Sequence, residues 1–382
     1  MKNWSLALFE KQGKKKNIDP QILENAKKYI EKQNSNDVPI LLTLGHLAYR
    51  TSVEYKTLQT FVSRRTKNYK TFQIRKHNGG FRNISIPVPK LMHVQKWINE
   101  FILSRSKIDE HSYAFQKEKS IKDCAMEHLG CRWLIKMDLR QFFESISEID
   151  VFKYFQSLGY SNLLSFQLAR ICTTTFSNKA NRYLDSRWTI WNHNYKFYRN
   201  KKIGHLPQGA PTSPMLANII AKPLDEEIFD FLQKLDKELV YTRYADDLFI
   251  STTSKTFSKK EAKYIINCIY SFLPKYGFKY NHQKTQIVPP GARKIVLGLL
   301  VDSEKLKLTK DFKSKLECHL YYLIKNPVQH ANKRKFDTVF GLINHVKGLF
   351  TFAQFIEPEY IDKLKKKKIV PDWDSLIKFN QT

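Results

Sequence analysis

Residues 239–251 read Leu-Val-Tyr-Thr-Arg-Tyr-Ala-Asp-Asp-Leu-Phe-Ile-Ser, with the adjacent acids at Asp246 and Asp247. β-Branched and aromatic residues on both sides predict two strands, 239–244 and 248–251, joined by a tight turn. The hairpin tip then carries two neighbouring carboxylates, which repel each other unless a cation sits between them. Two Mg²⁺ ions about 3.5–4 Å apart need such a cluster of hard oxygen ligands, with positions left over for phosphates and water. An Asp-Asp turn alone is weak evidence, because aspartate is common in surface turns. Two further stretches give it weight. Residues 133–137 (Trp-Leu-Ile-Lys-Met) form a short apolar strand that ends on a third acid, Asp138. Residues 206–214 (Leu-Pro-Gln-Gly-Ala-Pro-Thr-Ser-Pro) make a rigid loop entering a helix. Its glycine permits close approach to a ligand, and the helix start offers free N–H groups to a polar or anionic partner.

Charge points the same way. The 382-residue chain has 65 Lys and Arg against 36 Asp and Glu, a net charge of +29. Such an excess repels itself on compaction and makes sense when polyanions are the usual partners. Aromatic residues, 13% of the chain, suit base stacking. With 42% apolar residues the chain can bury a real core, so disorder is excluded as a whole-chain description. The five cysteines are odd in number and lack CxxC spacing, which argues against a disulfide scaffold or zinc ribbon. No apolar run near 18 residues stands out, the clearest being 295–301, and the N-terminus lacks a signal-like stretch. The expectation is a chain with no membrane partner, working in a reducing cytoplasm.

Outward from the hairpin, 41–62 predicts two short helices joined near Thr51 and Ser52. Residues 69–86 predict two strands around Asn78-Gly79-Gly80. Helices are expected over 92–103, near 149–158, from Ser213 through 235 with a kink at Pro223, and after a Ser258–Glu261 capping box. A further strand pair is expected at 285–288 and 294–301. The last 80 residues read as basic helices. Three units follow: an N-terminal helical extension over 1–58, a catalytic unit over 59–302 with an irregular insertion at 174–205, and a basic helical unit over 303–382. The insertion interleaves Arg187, Trp188, Trp191, Tyr195, Lys196, Tyr198 and Arg199, a pattern suited to RNA or a protein partner.

Taken in order, six pieces resemble the reverse transcriptases of the right-hand polymerase type, and most closely the bacterial retron branch. They are Lys76 with Gly79-Gly80-Phe81-Arg82 and Ile86-Pro87; 136–143 (Lys-Met-Asp-Leu-Arg-Gln-Phe-Phe); 206–214; Tyr244-Ala245-Asp246-Asp247; 281–285 (Asn-His-Gln-Lys-Thr); and Val296-Leu297-Gly298. The resemblance implies an α+β fold with fingers, a palm built on a ferredoxin-like antiparallel sheet, and a helical thumb. It implies RNA-directed DNA polymerase activity with two Mg²⁺ ions, for which Mn²⁺ can substitute. Carried over residue by residue, Asp138 and Asp246 become the metal-bridging carboxylates, Asp247 their support, and Leu139 a backbone contact to triphosphate or metal. Phe143 becomes the gate against a ribose 2′-OH. Gln208 and Gly209 pack under the new base pair, Lys284 serves the leaving pyrophosphate, and Arg82 and Lys76 grip the incoming dNTP.

The retron branch further implies a cognate noncoding RNA as primer and template, priming from an internal guanosine 2′-OH, and branched msDNA as product. Host RNase H would trim the template, and a separate effector would complete an antiphage unit in a bacterial cytoplasm. Contacts to that RNA are expected from His128, Asn344, His345 and Lys347. Two family elements are altered: Cys124-Ala125-Met126-Glu127-His128 stands for Asn-Ala-x-x-His, and Val296-Leu297-Gly298 for Val-Thr-Gly. Two other readings stay open. One is a defence-associated, group II intron-like or CRISPR-linked reverse transcriptase. The other is a chain whose complex with msDNA acts mainly as a scaffold restraining an effector.

Overall fold

The computed structural model describes residues 5–75, 79–175, 203–235 and 237–373. Its centre is a four-stranded antiparallel sheet in the order β4-β5-β3-β6. The strands are β3 (Trp133–Asp138), β4 (Val240–Tyr244), β5 (Asp247–Thr252) and β6 (Gln286–Val288). Ahead of them in the chain, β1 (Tyr69–Arg75) and β2 (Phe81–Pro87) form a separate antiparallel hairpin. A third small sheet joins β7 (Ile295–Val296), β8 (Leu299–Leu300) and β9 (Lys307–Leu308). This is the right-hand arrangement: a finger hairpin, a palm sheet backed by helices, and a helical thumb.

The central strands read as continuous apolar runs because both faces are buried. Ile135, Met137, Leu248 and Ile250 point into a large core with the Leu44–Thr51, Tyr55–Ser63, Pro89–Phe101 and Ser213–Gln233 helices. Leu134 and Phe249 point the other way, into a second core with the Lys310–Lys325 and Val339–Ile356 helices. The palm sheet is therefore clamped between two cores. Alternation along β3 puts Lys136 and Asp138 on the same side as Leu134, and along β5 puts Asp247 with Phe249.

Several expectations need correcting. The 285–288 strand does not pair with 294–301: β6 joins the palm sheet through β3, with Ile135 opposite Ile287. Residues 294–301 turn back on themselves as β7 and β8. The helix expected from Ser213 does run on to Gln233 with Pro223 inside it. The Val339–Ile356 helix is 18 residues long with a mean hydropathy of 1.2, enough by length and composition to cross a membrane. Here it lays Leu342, Ile343, Val346, Phe350, Ala353 and Ile356 into the second core and leaves Asn344, His345 and Lys347 exposed. The insertion lies mostly outside the described residues. At its base, Thr174 and His205 exchange two backbone hydrogen bonds of 2.9 and 2.8 Å.

His128 is also corrected. It is fully buried, on the same face of the palm sheet as Asp247, and presents no surface to RNA. Nδ1 pairs with Ser251 Oγ at 2.7 Å and Nε2 with Thr242 Oγ1 at 2.8 Å, so one imidazole bridges β4 and β5. Burial pushes its pKa down to about 3, which keeps the ring neutral. Cys124 packs beside it, with Sγ 3.3 Å from the same Thr242 hydroxyl. His128→Ala should cost about 2–4 kcal/mol in urea unfolding, through the lost hydrogen bonds and the cavity left behind. RNA affinity of the folded variant should match wild type. Weakened RNA binding without a stability loss would return His128 to the RNA surface.

Candidate active site

The β3–β5 register sets Asp138 directly opposite Asp247, at the ends of two paired strands. Tyr244 pairs with Asp247 across the β4–β5 hairpin, leaving Ala245 and Asp246 as its two-residue turn. Ala245 has a φ of +56°, a left-handed conformation that strains any residue but glycine. The turn is tied down because the Leu139 amide donates to the Asp246 carbonyl at 2.8 Å. That leaves the carbonyl, not the amide, as the backbone group through which Leu139 can serve a metal.

The carboxylates perturb one another. Burial pushes the Asp246 pKa up, and the charge of Asp138 adds to this, partly offset by Lys284 and Arg82. Asp247 is raised to about 7, by burial first and then by Asp246 and Asp138, with Lys284 and Lys136 opposing. Lys136, on the same face, has its own pKa lowered by burial.

Asp138 is the organised member of the trio. Its backbone carbonyl accepts from the Asn281 amide at 2.9 Å, and its Oδ1 accepts from Asn281 Nδ2 at 3.0 Å. Its Oδ2 holds the Lys284 ammonium in an ion pair. Lys284 is 56% exposed and Asp138 only 5%, so the lysine caps the carboxylate from the solvent side. Partial burial works against the ammonium, but the hydrogen bond to Asp138 and the three carboxylate charges raise its pKa overall. The turn bearing both residues is braced by Tyr270, stacked 3.7 Å from Tyr280 and hydrogen-bonded to Thr285 at 2.7 Å. Asn281 carries no expected role in the sequence reading, although it stands three residues before Lys284; its contact depends on two distant segments meeting.

The other expected residues surround this centre. Arg82, on β2, is near enough to Asp246 to oppose its pKa rise. Phe143 is half-buried, 5.5 Å ring to ring from Phe142 and 6.0 Å from Phe115. Phe142 is core, stacked on Phe278. Gln208 receives the Ser85 amide at 2.8 Å through its carbonyl, which docks the 206–214 loop on the finger hairpin. Gly209, at φ +114°, lies so close to β2 that a Cβ would meet Ile84 Cγ2 at 3.0 Å and the Ser85 carbonyl at 3.2 Å. A cavity of about 790 Å³ opens beside this junction, lined by Arg64, Thr71, Gln73, Ser85, Glu144 and Gln208 among others. Asn344, His345 and Lys347 share an exposed helix edge away from these contacts. Lys76 lies outside the described residues.

Whether the trio suits a divalent cation can be judged from its own chemistry. Lys284 already places a positive charge on Asp138, and the other two acids are pushed toward protonation, by burial first and then by neighbouring carboxylate charge. Among the described residues, no three His, Cys, Asp or Glu side chains close into a metal cage. Hard divalent cations of the Mg²⁺ kind take oxygen ligands, typically one or two carboxylates completed by water and substrate phosphates, and Asp138, Asp246 and Asp247 are of that type. The residues fit an open site that substrate finishes.

Comparison with known proteins points to one family. Residues 74–315 match the family described as reverse transcriptase (RNA-dependent DNA polymerase). The chain is 28% identical over 339 residues to the retron Ec86 reverse transcriptase of Escherichia coli, covering 86% of this chain and 92% of that protein. It is 30% identical over 305 residues to the retron Ec73 reverse transcriptase of the same organism, covering 78% and 86%. Among solved structures, apo telomerase from Candida tropicalis aligns with 78% of this chain and 58% of its own, at a TM-score of 0.42 and 14% identity.

The raised Asp247 has a thermodynamic signature. A carboxyl whose folded pKa lies above its unfolded value stabilises the fold at low pH and loses that contribution as pH rises through the folded value, here about 7. His128, His205 and His319, held low by burial, act oppositely and lose stability as pH falls below the ordinary histidine range. Comparison with Asp247→Asn isolates the carboxyl. In EDTA, the variant should gain stability over wild type between pH 6 and pH 8, read as the difference in Tm. An equal pH dependence in the two proteins would mean that Asp247 titrates normally.

Proposed function

Starting from a chain that belongs to the reverse transcriptases and to their retron branch, we propose a dedicated msDNA synthase. The chain is an RNA-directed DNA polymerase, and nucleic acid is its partner. In our reading it copies one cognate structured RNA, primed from an internal guanosine 2′-OH, into a branched RNA–DNA molecule. The observation that carries the site assignment is the strand register that sets Asp138 against Asp247, with Asp246 tied to Leu139 beside them.

Asp138, Asp246 and the Leu139 carbonyl would hold two divalent cations, taken as Mg²⁺, with Asp247 supporting them. Bound there, the cations lower the pKa of the attacking primer hydroxyl and neutralise the triphosphate and leaving group. The protein's own residues supply position and charge. Arg82 offers a guanidinium to the incoming phosphates, and Lys76 is assigned the same task. Lys284, kept protonated, presents Nζ to the leaving pyrophosphate. Phe143 stands over the sugar, where its ring would meet a 2′-OH. Gln208 and Gly209, docked on β2, would form the floor under the new base pair, and the adjoining cavity has room for a template nucleotide.

The exposed edge of Asn344, His345 and Lys347 would contact the cognate RNA, and 1–58, 59–302 and 303–382 would act as extension, catalytic unit and thumb. In the cell we place the enzyme in a bacterial cytoplasm, with host RNase H trimming the template and a separate effector completing an antiphage unit.

The test is expression of the gene with a few hundred flanking base pairs, followed by denaturing gels of total nucleic acid with and without RNase A. A discrete small DNA that migrates faster after RNase is expected, absent with Asp246→Asn while RNA binding persists. If no such DNA forms but the purified chain extends an added primer–template, the chain is a polymerase without the retron product. If Asp246→Asn still makes the DNA, the carboxylate assignment is wrong.

Phe143→Ala should admit ribonucleotides, lowering the dNTP-to-rNTP ratio of kcat/KM by about 10-fold or more, the scale of one lost steric contact at a reacting sugar. Unchanged selectivity would remove Phe143 as the gate.

A further inference from the structure

We propose that Arg243, clamped by Asp225, is a positioning residue: it holds the turn bearing Asp246 at the distance from Asp138 that a shared divalent cation requires. This rests on reading Asp138 and Asp246 as the metal-bridging pair.

Arg243 lies on β4, three residues before Asp246, and its side chain and that of Asp225 are both fully shielded from solvent. One edge of the guanidinium makes a two-pronged pair with Asp225, Nε to Oδ1 at 2.7 Å and Nη2 to Oδ2 at 2.6 Å. The Tyr241 hydroxyl donates to the same Oδ1 at 2.7 Å. The other edge faces the hairpin tip. Nη1 donates to the Ala245 carbonyl at 3.2 Å and to Asn218 Oδ1 at 3.0 Å. Asn218 is itself fixed by a 2.7 Å hydrogen bond to the Ala114 carbonyl. The guanidinium also lies 5.5 Å from the ring of Phe142, the neighbour of Phe143.

The turn needs such a hold. Ala245 is kept at positive φ, where a side chain is unfavourable. One hydrogen bond, from Leu139 to the Asp246 carbonyl, ties the turn to β3 and so to Asp138. The Arg243 bond to Ala245 is the second tie, anchored through Asp225 and Asn218 to the Ser213–Gln233 helix. Stability alone is a poor reason for this arrangement, because a buried ion pair rarely outperforms well-packed apolar residues. A lysine would also neutralise Asp225. Only a planar fork meets both Asp225 oxygens while another nitrogen reaches Asn218 and the turn.

The test uses the full-length chain carrying Arg243→Lys, which leaves Asp225 with a counter-charge. Mn²⁺ affinity is read without nucleic acid, from the EPR signal of free Mn²⁺. The kcat and KM for dNTP are then measured on a primer–template. Expected are Mn²⁺ binding weakened about 10-fold and kcat lowered about 10–100-fold, the scale of an ångström-level misplacement, with KM nearly unchanged. If the variant melts below the assay temperature, Asn218→Ala replaces it: this removes the other acceptor of Nη1, keeps the ion pair, and should move both readouts the same way by less. A folded variant with wild-type Mn²⁺ affinity and kcat would make Arg243 structural only. That failure is separable from failure of the underlying reading, in which Asp246→Asn would itself bind Mn²⁺ normally and polymerise.

Discussion

The crowding of three carboxylates, Asp138 buried and Asp246 and Asp247 half-buried, is the constraint on which this site depends. The β3–β5 register forces Asp138 opposite Asp247, and the hairpin turn adds Asp246 beside them. Left alone, such a cluster would protonate, and Asp246 and Asp247 are pushed that way. The protein meets part of the demand with its own cations, Lys284 on Asp138 and Lys136 on the same face of the sheet. The remainder is an affinity for cations supplied from outside. Charge on the whole chain acts in the same sense: a net charge of +29 favours polyanionic partners, and under the proposed function the acids would draw in the metal that their phosphates need.

Geometry must be stiff for this to work, and the stiffness comes from both faces of the palm. β3 and β5 send alternate residues into two separate cores, so neither strand can tilt without disturbing one of them. His128 bridges β4 and β5 on the face that carries Asp247. The 206–214 loop is bonded to β2 through Gln208 and Ser85, and Gly209 allows a close approach that a Cβ would crowd. The Ser213–Gln233 helix that follows supplies Asn218 and Asp225 to the Arg243 network. A single segment thus connects the finger hairpin to the turn of the aspartates.

What was legible in the sequence was local. Strand-end acids, a two-residue turn between β-formers, and a Pro-Gly loop before a helix signal themselves within a few residues, and each is where the pattern put it. What stayed hidden depends on residues far apart in the chain. His128 reads as a polar residue in a family element, yet its environment is made by Thr242 and Ser251, more than a hundred positions later. Asn281 and Arg243 gain meaning only once Asp138 and Asp225 fold against them. β6 is a strand as expected, but its partner differs, because a three-residue strand has no pattern of its own and takes its partner from the sheet. The Val339–Ile356 helix looked unremarkable as a run because Asn344, His345 and Lys347 interrupt it, although the whole helix is strongly apolar.

The most direct test of the central claim is proton release on metal binding. Mg²⁺ would be titrated calorimetrically into the nucleic-acid-free chain at pH 7, in two buffers of different ionisation enthalpy. With the Asp247 pKa pushed up to about 7, binding should release protons, because the cation favours the ionised carboxylate. Asp247→Asn should bind with no such release. Binding by the wild-type chain without proton release would contradict the account, since the carboxylates would then be ionised and satisfied before the metal arrives.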